Sequence, residues 1–124
     1  MTISKARNTD LPTEAIAVKY DMLSPLIDSA LLEMREFSKK KQDGVLNPLK
    51  VKVLNRLLSD IKEILSSDPS TEYLDILDDE SLPQNSDAVL ILGQFRAAMN
   101  QFRGKYYGFY GGTHRWLTVE NPKT

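Results

Sequence analysis

Residues 85–116, NSDAVLILGQFRAAMNQFRGKYYGFYGGTHRW, set the clearest helical pattern of the chain beside its least helical composition. Leu92, Phe95, Met99, Phe102 and Tyr106 recur at alternating steps of three and four, the spacing that places side chains on one face of an α-helix. Asn85 or Ser86 can cap this helix, and Asp87 in its first turn complements the positive end of the macrodipole. From Gly104 the period fades into a mixture of Gly, Tyr and Phe that ends at the sole histidine and the sole tryptophan. The spacing therefore predicts a long core helix followed by an irregular aromatic tail, joined near Gly104.

Working back from this helix, Leu46-Asn47-Pro48 gives the best start signal in the chain. Asn47 is the cap, Pro48 occupies the first position where its missing N–H costs nothing, and Leu46 can staple onto Val51. Val51, Leu54, Leu57, Leu58, Ile61, Ile64 and Leu65 then form a wide apolar stripe, with Asn55, Arg56, Ser59, Lys62 and Glu63 left for solvent. Upstream, Ile27, Ala30, Leu31, Met34 and Phe37 predict a helix from Pro25 to about Lys41, with Gly44 as a left-handed stop. Ser24 would cap it and separate it from a short lead-in containing Ile16, Tyr20 and Leu23; one helix continuing through Pro25 is the alternative. Glu36 and Lys40 are spaced to pair. Between the second helix and the long one, Asp68 and Pro69 can start a short helix in which Tyr73, Leu74 and Leu77 dock.

These elements predict an all-α fold: a small antiparallel bundle of three long helices and one short one, with the Gly/aromatic tail appended. The expected organisation is a loose leader over residues 1–12, a bundle over 13–107 and a tail over 108–124. The only β candidate is RWLTV, which is too short to stand without a partner strand. The length of 124 residues suits one domain with a real core. The absence of cysteine removes disulfides, thiolate metal sites and cysteine nucleophiles. No signal-peptide core or membrane-length apolar run is present, so a cytoplasmic protein without membrane attachment is expected.

The net charge is −1, but it is unevenly spread: residues 1–66 carry +2, residues 67–87 carry −7 and residues 88–124 carry +4. In an up-down-up bundle, Lys39, Lys40, Lys41, Lys50, Lys52 and Arg56 would gather at one pole. Arg103, Lys105 and the tail would return beside them, and the acids would gather at the other pole.

No complete catalytic constellation is legible, and no cofactor is expected. Glu33 and Glu36, with Asp75 and Asp78, form two i,i+3 carboxylate pairs of the type that holds magnesium. All-α nucleotide pyrophosphohydrolases use such pairs, a generic resemblance confined to these four residues. The acidic run 75–80 lacks the glycine and alternating ligands of a calcium loop, and no phosphate-cradling or nucleophile-elbow motif occurs. His114 lacks an evident partner to orient it as a base. Three readings result. The first is a non-catalytic protein-interaction or assembly subunit, binding another chain or itself. Its contacts would be Arg96, Arg103, Tyr107, Phe109, Tyr110, Arg115 and Trp116, since Trp, Tyr and Arg anchor interfaces most often. The second is a single-stranded nucleic-acid binder using the basic pole and the aromatic tail. The third is a magnesium-dependent nucleotide pyrophosphohydrolase using the four carboxylates.

Overall fold

The computed structural model describes residues 10–124. Its elements run α1 (Glu14–Lys40), α2 (Pro48–Ile64), a 3-10 turn (Pro69–Tyr73), α3 (Asn85–Tyr106), β1 (Tyr107–Tyr110) and β2 (Thr113–Trp116). The protein is thus mostly helical but not purely all-α, because the expected irregular tail contains an antiparallel hairpin. Over residues 1–9 the expected leader lies outside the described residues. Leu11, however, belongs to the core, and Pro12 is buried and accepts a hydrogen bond from the Val119 N–H (2.9 Å).

Lead-in and first helix are one element. Thr13 Oγ1 caps α1 by accepting from the Ile16 N–H (3.1 Å), and the helix continues through Pro25. Pro25 deprives the Asp21 carbonyl of its helical donor, yet Tyr20, Leu23, Ile27 and Leu31 lie on one buried stripe across it. Breaking the helix there would separate two halves of the same core face. Ser24, expected as a cap, instead presents its Oγ to Arg96 Nη1 (2.9 Å). Glu36 pairs with Lys39 rather than Lys40 (3.3 Å). Gly44 does not adopt the left-handed conformation expected of a stop. The glycine serves close approach, since a Cβ there would lie 2.8 Å from Asn85 Nδ2.

The start of α2 follows the sequence: Asn47 Oδ1 accepts from the Lys50 N–H (2.7 Å), and Leu46 and Val51 are both buried. Asp68 caps the 3-10 turn by accepting from the Ser70 N–H (3.0 Å). No docked third α-helix follows it. Residues 74–84 carry no regular helix or strand and include a turn at Asp79–Glu80, with Leu74 and Leu77 buried while Tyr73 is 75% exposed. Asn55, expected in solvent, holds this segment: its Nδ2 donates to the Leu77 carbonyl and its Oδ1 accepts from the Leu77 N–H, both at 2.8 Å.

This irregular return changes the topology. The seven-residue link between α1 and α2 makes them antiparallel neighbours. Residues 74–84, at up to about 3.3 Å per residue outside the turn at Asp78–Ser81, are enough to span the roughly 25 Å length of α2. The chain therefore climbs back to its starting end before α3 begins. There Asn85 Nδ2 donates to the Lys41 carbonyl (2.9 Å), the Ser86 N–H to Gln42 O (3.0 Å) and the Leu46 N–H to Pro83 O (2.9 Å). At the far end Lys105 Nζ reaches Asp68 Oδ2 (2.9 Å). α2 and α3 thus run parallel to each other and antiparallel to α1, which packs against both. Leu82 turns the chain with φ +51°, a strain of about 1 kcal/mol. The N-cap of α3 is Gln84 rather than Asn85 or Ser86, and its N–H donates to Asp87 Oδ2 (2.9 Å).

α3 passes through Gly104, the expected join, and ends at Tyr106. β1 and β2 pair Tyr107 with Trp116, Gly108 with Arg115, Phe109 with His114 and Tyr110 with Thr113. Gly111 and Gly112 form the two-residue turn with φ +63° and +85°, the double positive φ that a type I′ hairpin requires. The strand suspected in RWLTV is therefore real but begins two residues earlier, at Thr113, and its partner was hidden in the Tyr/Gly run.

Candidate interaction surface

The hairpin is locked to the end of the bundle formed by the start of α1 and the end of α3. Trp116 packs edge-on against Tyr20 (ring centroids 4.9 Å) and Tyr107 (5.5 Å), and its Nε1 donates to Asp21 (3.2 Å to Oδ2). Phe102 lies between Tyr20 (6.1 Å) and Tyr106 (5.0 Å). The Tyr20 hydroxyl donates to the Met99 carbonyl (2.6 Å), and burial pushes its phenol up against the pull of the Arg96 and Arg103 charges. Downstream, Leu117 and Thr118 are buried, the Leu117 N–H donates to Tyr106 O (2.7 Å), and Glu120 Oε1 accepts the Glu14 N–H at the head of α1 (2.8 Å).

Of the expected interface residues, several have partners within the chain. Arg96 Nη1 lies 3.5 Å from Asp28, and its Nη2 donates to Asn100 Oδ1 (2.7 Å), so Arg96 ties α3 to α1. Arg115 donates to the carbonyls of Asn121 (2.9 Å) and Lys123 and stands 5.8 Å from the Tyr110 ring centroid. Arg103 stacks over Tyr107 at 3.9 Å. Strand alternation places Tyr107, Phe109, His114 and Trp116 on one face of the hairpin. Trp116 and Tyr107 form its anchored base. Phe109, 62% exposed, meets His114 edge-on at 5.0 Å at its open end. The structure therefore brings together Arg103, Tyr107, Phe109 and His114 as one aromatic, partly cationic surface on a fixed frame.

The expected poles form only in part: the lysines gather at one end, but the end of α3 does not return beside them. Lys39, Lys40, Lys41, Lys50 and Lys52 lie at the end where α3 begins, whereas Arg103, Lys105 and Arg115 lie at the end where it finishes. Arg56 is exposed near the middle of α2. Lys50 sits over the Phe37 ring (4.0 Å) and 3.9 Å from Glu33. The acids divide likewise, Asp68 and Glu72 at one end and Asp87 at the other. The long return segment is the physical cause, because it reverses the direction of α3 relative to an up-down-up bundle.

Nor do the two carboxylate pairs converge. Glu33 and Glu36 are engaged by Lys50 and Lys39, and Asp78 Oδ1 accepts the Glu80 N–H (3.0 Å) within its own turn. Among the described residues no group of three or more His, Asp or Glu side chains is arranged to hold a metal ion. An open groove of about 340 Å³ runs between the return segment and α3, lined by Ile76, Leu77, Pro83, Asp87, Leu90 and Ile91. No helix among the described residues is long and apolar enough to cross a membrane.

The Asp68–Lys105 pair joins the ends of α2 and α3. Desolvation alone would raise the Asp68 pKa; hydrogen bonds from Lys105, the Ser70 hydroxyl and the Ser70 N–H outweigh it and hold the carboxyl below the usual range. A depressed folded-state pKa contributes stability that is complete above the unfolded value of about 3.9 and is lost as pH falls through the folded value. Asp68→Asn is therefore expected to cost about 1–2 kcal/mol at neutral pH, by weakening a cap and a charged hydrogen bond. Urea denaturation across acid pH should show the difference from the parent protein shrinking as pH falls below about 4.

One surface feature escaped the sequence reading. The outer side of α1 exposes Val18 (62%), Met22 (59%), Leu26 (53%) and Leu32 (63%). Its signal is a second apolar spacing on the same helix, Val18, Met22 and Leu26 at steps of four, opposite the core stripe that dominates the helical pattern.

The chain matches no protein family, no curated protein and no solved structure.

Proposed function

We propose that the protein is a non-catalytic interaction subunit that docks another protein chain through the open end of the hairpin and the adjoining end of α3. The observation that carries this reading is Phe109: a large aromatic side chain, mostly exposed, held cross-strand from His114 on a hairpin whose base is fixed by Trp116. A rigid aromatic loses little conformational entropy on binding, and an aromatic surface flanked by Arg has the composition of interface hot spots. Tyr107 and Arg103 supply the neighbouring contact area, while Trp116, Tyr110, Arg96 and Arg115 position the frame.

Phe109→Ala is expected to leave stability within about 0.5 kcal/mol, because the ring covers little of the core. The same substitution should weaken capture of the physiological partner about tenfold or more, the loss of a central anchor. A photocrosslinking residue at position 109, introduced in the native cell, should give a discrete protein adduct that Arg103→Glu abolishes. A position-109 probe that yields no adduct, or an adduct indifferent to Arg103→Glu, would sink the reading.

A further inference from the structure

We infer that the outer face of α1 is a self-association surface on which two copies of this chain pair antiparallel about a two-fold axis near Leu26. At 3.6 residues per turn, Val18, Met22, Pro25, Leu26, Ser29 and Leu32 fall within an arc of roughly 120° directly opposite the buried stripe. Between Val18 and Leu32 that arc contains no charged residue. Scattered exposed leucines are ordinary on a soluble protein. A continuous uncharged stripe about 21 Å long, on a helix already apolar on its inner face, is the pattern of a helix covered on both sides.

The charges flanking the stripe select the second copy as its occupant. In an antiparallel pair, residues whose numbers share a constant sum lie at the same level, and each flank of one helix meets the same flank of the other. Lys19 lies on one flank and Glu33, one residue past Leu32, closes the end of the stripe on that same side, while Glu14 and Lys39 lie on the other, and both pairs fall at the same level for an axis near residue 26. Lys19 of one copy thus meets Glu33 of the other, and Glu14 meets Lys39, each contact being made twice by symmetry. Within one chain Lys19 stands 3.4 Å from exposed Glu63, Glu33 is 3.9 Å from Lys50 and Lys39 is 3.3 Å from Glu36, pairs weak enough to be exchanged. The carboxylates beside the stripe, Asp21 and Asp28, are occupied inside each copy by Trp116 Nε1 and Arg96. Leu26 sits at the axis against its own copy, with Met22 beside it. The surface shares no residue with the hairpin, so it stands or falls independently of the proposed partner site.

Sedimentation equilibrium of the full chain across the micromolar range tests this. The parent protein is expected to dimerise. Met22→Glu/Leu26→Glu is expected to be monomeric with an unchanged far-ultraviolet spectrum, because these side chains are exposed and the change places like charges at the axis. Lys19→Glu and Glu33→Lys should each raise the dimer Kd about tenfold, and the double charge swap should return it to near the parent value. These two residues lie about 21 Å apart along one helix, so rescue reports contact between copies. A monomeric parent protein, or a dimer indifferent to Met22→Glu/Leu26→Glu, overturns the surface. A double swap no tighter than the single variants overturns the antiparallel arrangement.

Discussion

Trp116→Ala is expected to destabilise the protein by about 3 kcal/mol and lower its Tm by roughly 10 °C, near the low end of large aromatic truncations because the ring is only half-buried. The loss has three parts. The indole fills the gap between Tyr20, Phe102 and Tyr107, and its removal leaves a cavity against the fully buried Tyr20 and Phe102. The edge-on contacts disappear with it, each worth about 0.5–1.5 kcal/mol beyond area burial. Asp21 loses a donor at the surface of α1. Trp116→Phe retains a ring but not the donor and should cost about half as much. Phe109→Ala, two register pairs from the base, should cost almost nothing. Urea unfolding of the three variants with a common m-value measures the series directly. A Trp116→Ala protein within 1 kcal/mol of the parent would mean that the hairpin contributes little to closing the core. The same contacts imply that removing residues 108–124 unfolds the end of the bundle, since Leu117 and Thr118 leave with the hairpin.

What the sequence made legible divides along a physical line. Features set by neighbours within a few residues were readable: the cap at Asn47-Pro48, the cap at Asp68-Pro69 and the core stripe from Leu92 to Tyr106. Features set by a distant partner were not. Pro25 looked like a boundary because its local cost is visible in sequence, whereas the single core face that outweighs it spans both sides of the proline. The hairpin was obscured because Tyr107 to Tyr110 continues an aromatic spacing begun inside α3, and only the Gly111-Gly112 pair separates it from β2. The candidate site fared similarly. Tyr107, Phe109 and Arg103 do lie together, but nothing local distinguished Phe109, exposed at the open end of the hairpin, from Trp116, packed on Tyr20 at its base. His114 gained its place beside Phe109 only through strand register.

The direction of α3 was the least legible feature, and one side chain tests it. Asn55→Ala is expected to cost about 2–3 kcal/mol, because it deprives the Leu77 N–H and carbonyl of their partners at a part-buried position where water replaces them poorly. The effect should be local before it is global. Hydrogen exchange at the Leu77 amide should accelerate more than exchange in α1, whose core contacts do not depend on the clasp. Asn55→Asp separates the two bonds: a carboxylate still accepts from the Leu77 N–H but sets an oxygen against the Leu77 carbonyl, so it should also be destabilising at neutral pH. Its folded-state pKa should then be raised, because the protonated carboxyl can donate to that carbonyl. A raised value contributes stability below the unfolded pKa of about 3.9 that fades as pH rises through the folded one, so the deficit of Asn55→Asp should narrow on acidification while that of Asn55→Ala does not. Equal behaviour of the two variants across that range would show that the clasp is not what holds the return segment. If instead they diverge, the parallel course of α2 and α3 rests on an amide side chain that a hydrophobic pattern alone assigns to solvent. A return segment of this kind needs such a side chain, since a segment without regular structure beside a helix has no ladder of its own to satisfy its backbone.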